Sequence, residues 1–178
     1  MSIPFAAALR RLYAVRFVFA IAWAAVVLAA APTGAFLTIL LVIYPLFDAG
    51  SVLWQLRAAP ARSSASEWIN VAVSVAVAVA LGVASTVSIP AVLVVWGIWA
   101  IGSGIPQLVT AIRNRASGGQ VAQMLSGGIS VFAGAGFVLQ GIQGASSVAG
   151  PAGYAAIGGI FFLVSAIRLS VLLRRTAA

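Results

Sequence analysis

Residues 71–81 read VAVSVAVAVAL, small and branched side chains in strict alternation. Period two is the mark of a strand. A lone strand cannot cross lipid, however, because its edge amides and carbonyls would go unpaired, and the neighbouring segments lack the alternating polar face that lines a barrel. The run is therefore read as a helix, which makes the whole chain an all-α membrane protein. SSASEW, just before it, sets Ser64 and Glu67 at capping-box spacing, suited to the orphan amides of a helix that begins there.

Composition points the same way. Of the 178 residues 63% are apolar and 7% charged, with a mean hydropathy of +1.15, where a soluble domain carries about a quarter charged residues. No water-facing surface can be assembled from two acids and ten basic residues, all of them arginine. A net charge of +8 in a soluble protein would suggest nucleic acid. Here the arginines lie beside long apolar runs, so they read as topology signals, and nucleic acid is not an expected partner. Cysteine and histidine are absent, which removes disulfides, thiol chemistry, haem and zinc; no cofactor or metal is expected. In MSIPFAAALRRLYAVRF the arginines follow the short apolar stretch instead of preceding it, so the N-terminus is expected to be retained and not cleaved as a signal peptide.

Six segments are long enough to span, at 12–31, 35–56, 68–84, 89–112, 121–139 and 152–173, giving a transmembrane domain over 12–173 flanked by cytoplasmic segments 1–11 and 174–178. Arginines occur before the first span (Arg10, Arg11) and after the second (Arg57, Arg62), fourth (Arg113, Arg115) and sixth (Arg174, Arg175). The other three connections, around 32–34, 85–88 and 140–151, carry no charge. By the positive-inside rule both termini are expected to be cytoplasmic. An internal repeat is also visible: Tyr44, Phe47, Ser51 and Gln55 align without gaps with Trp96, Trp99, Ser103 and Gln107, and Phe161 and Ser165 continue the series in the sixth span. Three repeated helical hairpins describe the pattern most simply.

The phrases GIWAIGSGIPQLVTAIRNR, LSGGISVFAG and GYAAIGGIFFLVSAIRL, together with the hairpin triplet, resemble the HdeD-like family of small bacterial membrane proteins, which carry domain of unknown function 308. The likeness covers roughly residues 68–175 well and the first hairpin less well, where YPLFDA departs from the general pattern. It implies a six-helix inner-membrane protein associated in some bacteria with acid resistance and stress response, and it supplies no catalytic or ligand residues.

Asp48 is the carboxylate inside a predicted span, where an ionisable group costs about 2.5 to 3.5 kcal/mol unless paired or wetted. The short turn at 32–34 sets residue 48 opposite residue 17 or 18 in an antiparallel hairpin, so Arg16 lies within about one turn of it in depth. A salt bridge between Arg16 and Asp48 is expected. Arg168 sits about 9 Å inside the cytoplasmic boundary; it either snorkels to the headgroups or turns inward to join Asp48 and Arg16 in a polar cluster for protons or anions. Ser126, Ser130 and Gly134, at spacing four, with Gly127, Gly128, Gly158 and Gly159, are expected to let helices pack closely. Pro45 and Pro106 should kink their helices, each freeing a carbonyl. Triad chemistry lacks histidine and paired acid-base work lacks carboxylates, so an enzyme is not expected. The readings that stand are a noncatalytic multipass protein or scaffold, with the bilayer and a further copy or membrane protein as partners, and a small channel or transporter with a path near Asp48 and Arg168.

Overall fold

A computed structural model describes residues 3–58, 65–113 and 120–175. They form six helices: α1 (Ile3–Ala30), α2 (Gly34–Ala58), α3 (Ala65–Val87), α4 (Ile89–Arg113), α5 (Gln120–Ile142) and α6 (Ala149–Arg175). Each contains a stretch long and apolar enough to cross a membrane. No strand occurs among the described residues, so VAVSVAVAVAL is helical within α3. In lipid the helix satisfies every backbone group within one segment, and this constraint overrides the strand preference of valine. Ser64 of the expected capping box lies outside the described residues.

The helices outrun the apolar windows. α1 starts at Ile3, not at residue 12, and carries Arg10 and Arg11 within it. Hydropathy ends a segment at its first charge, whereas helical hydrogen bonding continues through alanine, leucine and arginine, which are all good helix formers. α3 likewise runs through Ser85 and Thr86, whose hydroxyls donate back to the carbonyls of Gly82 and Val83. Only Ser88 separates α3 from α4; its Oγ accepts the amide of Ala91, the role of an N-cap. α5 ends in the paired bonds of a Schellman motif, Ala145 N to Gln140 O and Gly144 N to Gly141 O, with Gly144 at φ +77°.

Contacts pass from each helix to the next and close through α1 against α6. The most extensive pairings are α4 with α5, α1 with α6 and α2 with α3. In the first of these, Gly97 meets Gly134, Gly104 meets Gly127, and Pro90 meets Gly141, where a Cβ built on each glycine would lie 2.5–2.9 Å from facing backbone atoms. The contacts run antiparallel, seven residues apart on both helices, so two backbones touch along a continuous seam. Small residues are what permit this in lipid, where packing and not hydrophobic exclusion draws helices together. Gly128 and Gly158 face open space and take no part in such a seam, whereas Gly159 sits against Ala20 of α1.

The middle of the bundle is filled by Trp23, Leu41, Leu81, Val92, Trp96 and Phe137 with their neighbours. Outward faces carry large apolar side chains; Phe132 is 82% exposed, a surface suited to hydrocarbon around it. Ser51, Ser103 and Ser165, the aligned serines, each donate to a carbonyl one turn back in their own helix, which leaves no hydroxyl proton unsatisfied.

Candidate functional site

α1 and α2 reverse at residues 31–33, where Ala31 takes φ 41° and Pro32 follows. This tight reversal sets Arg16 and Asp48 at matching depth. The Arg16 guanidinium, through Nη2, donates to Oδ1 of Asp48 in an ion pair. Ser74 of α3 donates to the other carboxylate oxygen, Oδ2, at 2.9 Å. Both oxygens of Asp48 are thus engaged, from two different helices. The charged side chains are 16% and 17% exposed, and Ser74 is fully buried. Arg16 also stands over the ring of Phe162 of α6, 4.2 Å from its centroid, and Phe162 stacks on Tyr13. Four helices meet at one ion pair. Paired and hydrogen-bonded in this way, the charges avoid most of the penalty an isolated one would carry in hydrocarbon.

Aromatic rings gather next to the pair. Phe19 stacks on Phe47 at 3.7 Å between centroids, and Tyr44 packs against Trp23, Trp96 and Trp99 at 4.7–6.2 Å. The Trp23 indole N–H donates to the carbonyl of Leu40 at 2.7 Å, one residue before the carbonyl that Pro45 leaves without its helical donor. Tyr44 and Trp96, which occupy equivalent positions in the aligned sequences, touch in the core. Trp96 is fully buried, and its Nε1 is the buried side-chain polar atom without a hydrogen-bond partner among the described residues.

A second polar contact crosses from α5 to α6. Ser130 and Tyr154 hydroxyls lie 2.8 Å apart. Because the Ser130 proton goes to the carbonyl of Ser126, Tyr154 is the donor and Ser130 the acceptor. Phe137 meets the Tyr154 ring edge-on. α5 and α6 otherwise touch little.

Arg168 is not with Asp48 and Arg16. It is exposed on the outward face of α6 and lines a shallow, open depression there with Arg175. The rotation of α6 explains this: Ala155, Gly159 and Ala166 form its buried stripe, and a residue two positions past Ala166 lies about 200° round the helix, on the far side. No group of three histidine, cysteine or carboxylate side chains suited to a metal occurs among the described residues.

Ser74 was not anticipated as a partner of Asp48, although it is the single polar residue in VAVSVAVAVAL and that interruption is its signal. Tyr154 carried no sequence signal of its partner, since α5 and α6 are joined by an uncharged connection whose geometry is not fixed by length. No family model matches this chain, and neither a curated protein nor a solved structure matches it.

Proposed function

We propose that the chain is a noncatalytic multipass protein of the bacterial inner membrane, of the HdeD-like type, serving acid or envelope stress tolerance or acting as a membrane scaffold or subunit. The observation that carries this reading is the use made of Asp48: both of its oxygens are engaged by Arg16 and Ser74, so the intramembrane charge is spent on holding helices together. The want of histidine and cysteine supports a noncatalytic role. The alternation of arginine-bearing and uncharged connections supports cytoplasmic termini. A threefold repeat of hairpins is supported by the meeting of Tyr44 with Trp96 and by extensive seams recurring at every second helix, α2 with α3, α4 with α5 and α6 with α1. Gly50 and Gly102, exposed with no atom near their missing Cβ, leave room for a second copy or a membrane partner. Deleting the gene in its host is expected to lower survival under acid or envelope stress, the intact chain to restore it, and reconstituted liposomes to remain impermeable. Undiminished survival on deletion contradicts the reading.

A small channel or transporter for protons, anions or a small solute is the second reading. It is favoured by the polar side chains Ser74, Ser130 and Tyr154 in the interior alongside Asp48. Since Arg168 faces outward, such a path runs past Asp48 without it. Flux into liposomes that is abolished by Asp48→Asn and untouched by Arg168→Gln supports this reading over the first.

A further inference from the structure

The C-terminal end of α6 carries three exposed arginines, and two of them, Arg168 and Arg175, share one face that the fold does not neutralise. Arg168 and Arg175 are both exposed, and together with Ile167, Val171 and Leu172 they line a shallow, open depression of about 320 Å³ on one face of α6. Seven residues separate the arginines, so they share one face of the helix, about 10 Å apart along its axis. Between them the face is aliphatic. Neither arginine has an ion pair among the described residues, and the chain cannot readily supply one: against ten arginines it has two acids, of which Asp48 is held by Arg16. Arg168 lies just under two turns inside the last arginines of the helix, at a depth where an uncompensated cation is costly and where the anions within reach are lipid phosphates.

We propose that this face binds the headgroup of an anionic phospholipid, its phosphate accepting hydrogen bonds from the Arg168 and Arg175 guanidinia and an acyl chain lying along Ile167 and Val171. A guanidinium presents a planar fork that matches a phosphate, and its charge favours a headgroup with net negative charge over a zwitterionic one. The aliphatic residues between the two charges favour a phosphate that carries a chain over a free one. This binding is independent of what the interior of the bundle does.

The test uses the full chain in detergent, titrated with phosphatidylglycerol, phosphatidylcholine or inorganic phosphate, with bound molecules counted by native mass spectrometry. Phosphatidylglycerol is expected to be retained in preference to phosphatidylcholine, with retention weakened roughly fivefold by Arg168→Gln and roughly fivefold by Arg175→Gln. Arg57→Gln, at the exposed end of α2, is expected to change nothing, and Arg168→Lys to keep part of the effect. Helical content and elution volume matching those of the intact chain exclude misfolding as the cause of any loss. Equal retention of phosphatidylcholine, displacement by millimolar inorganic phosphate, a second protein copy in place of lipid, or equal weakening by Arg57→Gln each overturns the proposal.

Discussion

Adding a methyl group at Gly134 is expected to force α4 away from α5. A Cβ there would sit 2.6 Å from the carbonyl oxygen of Gly97, 2.8 Å from Cγ1 of Ile101 and 2.9 Å from the Ile101 amide nitrogen. The first contact is about 0.8 Å inside the 3.4 Å at which ordinary packing begins, and two of the three atoms are backbone, which no rotamer change can move. The helices must separate locally, with loss of dispersion along the seam. Overpacking of this kind costs about 1 to 3 kcal/mol, and replacing glycine by alanine in a helix returns up to about 1 kcal/mol. A net loss of about 1 to 2 kcal/mol is therefore expected for Gly134→Ala, read as the unfolding equilibrium in lipid bicelles or mixed micelles. Gly102→Ala on α4 and Gly128→Ala on α5 are the controls, because nothing lies within 4 Å of either position. They should be unchanged or slightly more stable. If Gly134→Ala behaves like Gly128→Ala, the backbones of α4 and α5 do not touch at Gly97 and Gly134.

Removing one side of the ion pair, by Asp48→Ala or Arg16→Ala, is expected to destabilise the bundle by about 2 to 4 kcal/mol in the same assay, since a charge is left without its partner in a low-dielectric interior; the double variant Arg16→Met/Asp48→Leu should recover more than half of that loss, and a double variant no better than the singles contradicts the clamp. Tyr154→Phe should cost about 1 kcal/mol, the worth of one hydrogen bond between membrane helices, and Tyr154→Phe in a Ser130→Ala background close to nothing. Ala20→Cys with Gly159→Cys should form a disulfide on mild oxidation, because the Ala20 Cβ lies 3.2 Å from the position a Cβ would take at residue 159, a small outward shift from the usual separation of about 3.5 to 4.5 Å; the pair Ala20→Cys with Gly102→Cys should not, and the reverse outcome removes the packing of α1 against α6.

What could be read from the chain alone was whatever follows from length and from the cost of charge in lipid. The reversal at 32–34 is so short that it fixes the depth of everything on α1 relative to α2, which is why Arg16 could be matched to Asp48 by counting. The same arithmetic could not find Ser74, since it says nothing about which third helix approaches the pair. Arg168 illustrates the other limit. Its depth followed from its distance to the end of α6, but its direction depends on how that helix is rotated, and the rotation is set by Gly159 against Ala20. The small residues Ala155, Gly159 and Ala166 mark that buried stripe, and reading them as one face would have turned Arg168 outward. At the α4–α5 seam, spacing four from Ser126 to Gly134 drew attention to the right helix, while the contact itself follows the spacing of seven shared by Gly127, Gly134 and Gly141. A single helix cannot reveal that register, because both helices must carry it.

The six helices are expected to cross a bilayer in alternation, with both termini on the cytoplasmic side. The absence of cysteine permits single cysteines to be placed at Thr33, Ser88 and Ser146, all exposed between helices, and at Ser117 and Ala178, then labelled in intact spheroplasts with a membrane-impermeant maleimide. Labelling at the first three positions, with residues 117 and 178 reacting only after the membrane is permeabilised, is the expected result. Labelling of residue 117 in sealed spheroplasts, or recovery of the chain from the soluble fraction without detergent, contradicts it.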